Sequence, residues 1–323
     1  MAFAALLSAC KQERNNKEGN PSGLSLKETS VEAGWQNGPL RLYPIVADEG
    51  LIQQQAALAG IKTLETAMST KGFRLTELKQ FGREQGSWYN GLTLVNKTND
   101  TVYVMSGDVV TGGNQDRVNE EDLMALPGTI RNIDVFCVEK GRSSYYNPDA
   151  GEEERQLAAF RGYYNVASPQ VRKAVYGGSQ EAVWSAVADV TSANSAASST
   201  STYAALDNNE AFKAREAEYR HFFKGKFAEY PNATGLIAVI NGKIVGAELF
   251  GHPQLFQRRL DALLHSYTAE AAGAVAEDRF APAMSVMSTF ERLVAKTAPS
   301  AQPDAATGRF DFAGAWIHVW SKN

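Results

Sequence analysis

Between Gly107 and Arg117 the chain packs a diglycine, an amide, an acid and a guanidinium into one corner, "GDVVTGGNQDR", set between two apolar runs. Arg117 offers a planar donor fork that matches a carboxylate or a phosphate, and Gln115 carries a donor and an acceptor on one side chain. Gly112 and Gly113 permit backbone angles closed to other residues, which lets a ligand or a second segment come close. Two chemistries fit. The corner holds a small anion on Arg117, or it ties itself together, Arg117 pairing with Asp116, Glu139 or another acid while Gln115 fixes the loop backbone. Internal pairing is the favoured reading, because a buried arginine is usually paired for structure. No Gly-Lys-Ser/Thr follows the glycines, so a phosphate loop is not indicated.

Further candidates lie downstream. Cys137 and Glu139 stand two apart in "IRNIDVFCVE" (130–139), a spacing that would let a thiol and a carboxylate serve a hydrolase or transferase. Ile133 and Val135 share that strand face, so the thiol is expected in an apolar layer, where its pKa rises and its reactivity falls. Glu248, on the face of Ile244, Gly246 and Phe250, either joins Arg117 in one polar pocket or marks a solvated edge. The four histidines, 221, 252, 265 and 318, form neither His-Glu-x-x-His nor a closely spaced His/Cys set, so neither a metal nor another cofactor is expected. Trp316, His318 and Trp320 alternate onto one face, to stack on a sugar ring or peptide or, the favoured reading, to form core beneath a helix.

Another cysteine speaks of location. "MAFAALLSAC" is apolar and small up to Cys10, and "KQERNNKEGNPSG" turns polar immediately after it. Leu7-Ser8-Ala9-Cys10 resembles the lipobox of bacterial lipoproteins, in which the cysteine sulfur takes a diacylglycerol. The apolar stretch is short and lacks a positive start, so a start codon farther upstream is expected. Residues 1–10 are thus expected to be a signal remnant, 11–34 a flexible tether and 35–323 a single domain. With Cys10 lipidated, Cys137 is the remaining thiol and no internal disulfide is possible. The formal net charge is −4 over 323 residues. That balance supplies no basic field for nucleic acid, which is excluded as a partner.

The elements that must hold these residues are legible as periodicities. Strands are expected at 40–46, 73–78, 88–96, 101–107 and 130–139, with a broken helix over 51–72 ending at Gly72. The second half turns helical. Ser168 before Pro169 reads as an N-cap opening two helical runs over 168–190, and 192–202 reads as a low-complexity loop. An amphipathic helix is expected over 209–230, its Glu210, Glu216 and Glu218 on a solvated face among basic residues. Asn241-Gly242 predicts a type I′ hairpin within 235–250. Pro253 opens a helix to Gly273, a further helix covers 282–296, and 310–320 closes the chain as one strand. The fold class is α+β, with a β-rich N-terminal half and helices packed on strands in the C-terminal half.

The runs 107–118, 133–142 and 235–256 resemble an uncharacterised bacterial family named for its gene association with ARG and rhodanese-phosphatase superfamily proteins. Its pattern is a Gly-rich corner followed by Gln, a polar residue, Arg and Val, then a Cys-Val-Glu strand and a Gly-Arg-aromatic turn. Gln115, Asp116, Arg117 and Val118 fit the first part; Cys137, Val138, Glu139, Gly141 and Arg142 fit most of the second, and Ser143 stands where an aromatic is expected. The resemblance spans about residues 35–320 and implies no established activity. The function expected from all of this is a lipid-anchored, non-catalytic binding or assembly protein of the bacterial cell envelope. Its partners would be the membrane through Cys10 and a small anionic ligand or an envelope protein, with Gln115, Arg117, Glu139 and Glu248 as candidate ligand-binding residues. The alternatives are an envelope hydrolase or transferase using Cys137, Glu139 or Glu248, and an anion sensor using Arg117.

Overall fold

The computed structural model describes residues 22–27, 34–77, 90–142, 160–277, 279 and 281–322. Cys10 and Ser143 lie outside them. The alternating and continuous apolar runs form strands β1 (Leu24–Leu26), β2 (Gln36–Asn37), β3 (Leu40–Ala47), β4 (Lys62–Thr63), β5 (Phe73–Glu77), β6 (Gly91–Asn96), β7 (Val102–Val104), β8 (Asp108–Gly112), β9 (Arg117–Asn119), β10 (Leu123–Ala125), β11 (Ile130–Cys137), β12 (Phe160–Val166), β13 (Ala233–Ile240), β14 (Lys243–Phe250), β15 (Thr307–Phe312) and β16 (Ala315–Ser321). The helices are α1 (Glu49–Gln54), α2 (Leu64–Met68), α3 (Pro169–Tyr176), α4 (Gln180–Ala193), α5 (Glu210–Phe227), α6 (Pro253–Ala271) and α7 (Ala283–Ala295). This is an α+β fold, its strands dense in the first half.

One sheet runs β1-β3-β13-β14-β16-β15, with β2 also on β3. All its pairings are antiparallel. Both faces of β3 and β13 are buried, which is why they read as near-continuous apolar runs. Tyr219, Phe223 and Phe227 of α5 and Phe256, Leu260 and Leu263 of α6 cover one face, meeting Leu42, Leu236 and Ala238. Val286, Phe290 and Leu293 of α7 cover the other, against Tyr43, Ile237 and Val239. A second sheet runs β12-β8-β9-β11-β6-β5. Its alternation sends Val109, Val118 and Phe136 to Val171, Val183 and Val187 of α3 and α4, and sends Val110, Leu92 and Val135 to the opposite side with Leu64 of α2. A small sheet, β10-β7-β4, completes the set.

Local signals are realised where one residue suffices. Ser168 accepts from the Val171 amide ahead of Pro169 and caps α3. Asn241 and Gly242 take φ of 47° and 76°, both positive as a type I′ turn requires, and join β13 to β14.

Three expectations are corrected. Leu24–Leu26, inside the stretch read as tether, is a strand on β3, and Leu24 is buried against the sheet and α7. The 310–320 run is two strands, because Ala313 and Gly314 adopt φ of 53° and 82° and turn the chain back. A register shift between Phe310 and Asp311 leaves Ile317 without a partner on β15, and that extra residue rotates Trp316 to the α7 side while His318 stacks with Trp320 and Phe250. Finally, Glu216 is not solvated: it is buried on α5 and meets His265 of α6 at 3.0 Å.

Candidate functional site

The corner between β8 and β9 gathers side chains from four parts of the chain. Arg117, 2% exposed, donates from Nη1 to Gln115 Oε1 at 3.0 Å, touches Cys137 Sγ, and lies 3.6 Å from Glu77 Oε2 at the end of β5. Gln115 Nε2 in turn donates to the Glu139 carbonyl at 2.8 Å. The nearer acids belong to another arginine. Arg142, still a quarter exposed, meets Glu139 at 2.6 Å and Asp116 at 3.0 Å, and its Nη1 donates to the Gly113 carbonyl at 2.8 Å. Asp116 also accepts the Gly112 amide at 2.9 Å and the Thr202 hydroxyl at 2.6 Å. A loop tied at this many points is a fixed element of the second sheet. Its glycines are required by contact: a Cβ on Gly113, where φ is +53°, would sit 2.6 Å from Glu77 Oε1 and 2.7 Å from the Phe160 ring.

Electrostatics follow from these contacts. Burial pushes the Cys137 thiol above its ordinary pKa, with Arg117 pulling the other way. For Glu139 burial acts upward, but bonds from Arg142, Thr200 and the Asp116 amide outweigh it and hold the carboxyl below the usual range. The thiol therefore faces a guanidinium rather than the apolar layer expected for it. Reactivity is depressed all the same, because the neutral thiol is favoured.

Glu248 draws its partners from a different set. It is 1% exposed on β14, paired with Arg172 of α3, bonded by Tyr267 at 3.2 Å, and joined to His318 Nε2 at 2.7 Å. The His318 Nδ1 side reaches Asp122 at 2.7 Å, and Asp122 also accepts the Tyr103 hydroxyl at 2.6 Å and the Ser106 amide at 2.7 Å. Beside this chain a second fully buried pair, Asp108 with Arg259, takes the Tyr163 hydroxyl at 3.1 Å. Burial disfavours a charged His318, yet Asp122 and Glu248 on its two nitrogens raise its pKa. Burial likewise pushes Glu248 up, but Arg172 and His318 bring it down to about 2. Glu248 is matched by the buried Arg172 and Asp108 by the buried Arg259, and His318 bridges Glu248 to Asp122.

Of the residues singled out from sequence, Gln115, Arg117, Cys137 and Glu139 come together, and Glu248 is bonded elsewhere. Sequence reasoning missed Glu77, Asp108, Asp122, Arg172 and Arg259. A signal existed for the two arginines. Arg259 falls within the Phe256–Leu263 apolar stripe of α6, and Arg172 falls among the buried positions Val171 and Val175 of α3. A charge on a helix's buried face announces a buried partner. Among the described residues no group of three His, Cys, Asp or Glu is placed to hold a metal, and no helix is long and apolar enough to cross a membrane.

Compared with known proteins, residues 28–311 match the ARG and Rhodanese-Phosphatase-superfamily-associated Protein domain. No curated protein and no solved structure matches.

Proposed function

Since the chain belongs to the family of ARG and Rhodanese-Phosphatase-superfamily-associated proteins, whose description states no reaction, we propose that it is a non-catalytic binding or assembly module of the bacterial cell envelope, held to a membrane by lipid on Cys10. One observation carries the non-catalytic part: the corner's reactive groups are bonded to one another. Arg117 is occupied by Gln115, Glu77 and Cys137, and Glu139 by Arg142. A nucleophile needs a base and a general base needs a free approach to its proton. For Cys137 or Glu139 to act in a hydrolase or transferase, and for Arg117 to take an anion, an internal pair must first open. The abrupt change of composition at Cys10 supports the anchor. More than one acyl chain gives membrane attachment that a single chain does not.

The test is made in bacterial cells expressing the protein. The protein incorporates radioactive palmitate and partitions with membranes, and Cys10→Ser loses both the label and the membrane fraction. Labelling that survives the substitution removes the anchor from the reading. In parallel, native Cys137 resists iodoacetamide at neutral pH; rapid alkylation would favour the thiol-enzyme alternative.

A further inference from the structure

The turn between β10 and β11 carries an apolar tip. Four large apolar side chains are exposed among the described residues, and two of them, Leu126 at 44% and Ile130 at 65%, stand on this one turn with exposed Pro127. The turn is tightly built. Pro127 and Gly128 hold its central positions, Gly128 at φ +80°, and the Thr129 amide donates to the Leu126 carbonyl at 3.0 Å, the pattern of a type II turn. Asn96, fully buried behind it, donates from Nδ2 to the Ala125 and Leu126 carbonyls at 2.9 and 3.1 Å. The Asn96 main chain also accepts from the Gly128 amide and donates to the Thr129 carbonyl, each at 2.8 Å. So many ties from one buried residue hold the apolar side chains out in solvent.

Basic side chains surround this tip. The register of the second sheet sets Arg74 across Val95 from Ile130, on one face and two strands or about 10 Å away. Lys97 follows Asn96 and donates its amide to the Gly72 carbonyl at 2.8 Å, and Lys71 precedes that glycine. In the small sheet Lys62 stands across Val102 from Ala125, the residue before Leu126. Lys71, Arg74 and Lys97 are exposed, and none of the four cations forms an ion pair among the described residues. Acids are sparser here. Asp100 is half-buried in the adjoining turn, and Asp134 lies four residues along β11 from Ile130, about 13 Å off.

We propose that this tip docks on an anionic phospholipid surface, with Leu126, Pro127 and Ile130 entering the interface while Lys62, Lys71, Arg74 and Lys97 meet the phosphates. The proposal rests on the membrane reading above and adds to it the face that the domain turns to the lipid. Charge complementarity selects this occupant. A lipid surface takes from a peripheral protein a few apolar side chains and the basic residues around them, because the acyl boundary accepts the first and the headgroup charge attracts the second. A protein partner or a second copy asks for roughly 1,000 Å² of matched surface, which a single turn does not supply.

The test uses the full chain carrying Cys10→Ser, which removes the acylation site, sedimented with sucrose-loaded vesicles of phosphatidylethanolamine and phosphatidylglycerol or of phosphatidylcholine alone. Half the protein is expected to sediment with the anionic vesicles by about 1 mM lipid, weaker than the roughly 0.1 mM at which a single acyl chain partitions. Binding falls as salt rises, and neutral vesicles leave the protein in solution. Leu126→Ser with Ile130→Thr weakens partition about tenfold, since it removes the inserted apolar surface. Arg74→Gln with Lys97→Gln weakens it as much or more, each cation near an anionic surface being worth about fivefold. Val275→Ser with Met284→Ser, at the other two exposed apolar positions, leaves it unchanged. Melting temperatures matching the parent show that the variants are folded. Absence of sedimentation with anionic vesicles at about tenfold higher lipid, an unchanged partition in the tip variant, or an equal loss in the Val275 and Met284 variant overturns the proposal. So does a dimer in sedimentation velocity that the tip variant abolishes, which assigns the turn to a second copy. Palmitate labelling separates the two readings: a labelled protein whose Cys10→Ser form ignores vesicles keeps the anchor and loses the tip, and an unlabelled protein that sediments with them does the reverse.

Discussion

At Arg117 a guanidinium that is 2% exposed meets Glu77, Gln115 and Cys137, so its removal strands a buried carboxylate. Arg117→Ala is expected to cost about 3–5 kcal/mol, because breaking a buried pair leaves its partner charged and unsolvated. The measurement is the urea midpoint at unchanged slope. Arg117→Lys keeps the charge without the planar fork and recovers part of the loss. An unchanged midpoint in Arg117→Ala would reassign the side chain to a ligand. Much of this corner was legible, since Gln115, Asp116 and Arg117 share one turn and the match of Cys137 and Glu139 lies one strand away. The identity of the paired acid was not. Asp116 and Glu139 were the nearer choices, yet Glu77, which comes in from β5, takes Arg117 and leaves those two to Arg142. Glu216 was misread for a related reason: helical periodicity assigns every glutamate to the wet face unless the neighbouring helix supplies a histidine.

Turns and strand ends tell the same story at the next scale. Gly113 and Gly128 both hold positive φ, +53° and +80°, but an added Cβ meets Glu77 and Phe160 at the first and nothing within 4 Å at the second. Gly128→Ala should therefore cost only the left-handed strain of about 1–2 kcal/mol. Gly113→Ala adds overpacking of about 1–3 kcal/mol to that. Comparing the two urea midpoints isolates the contact, and equal losses would show that the corner is looser than its bonds imply. Asn241-Gly242 was readable because its requirement is local: two positive φ angles next to each other. The closing hairpin was not, because Ala313 carries no turn signature and the shift that rotates Trp316 exists only in the pairing of β15 with β16.

Across the whole molecule, the buried chain Asp122–His318–Glu248–Arg172 joins β14 and β16 of the first sheet to the segment before β10 and to α3. Its two titrations bound stability from opposite sides. A raised His318 favours the fold fully below its unfolded value, near 6.5, and that contribution is lost as pH climbs through the folded value. Glu248, lowered to about 2, contributes above the ordinary carboxylate range and loses its contribution as pH falls toward 2. Melting temperatures should peak at about pH 5–6.5 and fall on both sides. His318→Gln should lower the peak and flatten the alkaline limb; a limb parallel to wild type would place the titration elsewhere. Glu248 and His318 stood out singly, but their connection was not legible, Asp122 and His318 being 196 residues apart. The docking of β1 on β3 has a consequence of another kind. If Cys10 is attached to lipid as proposed, the distance along the chain from that point to the fold is counted to Leu24 rather than to Trp35. At about 3.3–3.6 Å per residue it can reach at most roughly 50 Å instead of roughly 85 Å. Were the proposed anchor in place, a partner farther than that from the lipid surface would be out of the domain's reach.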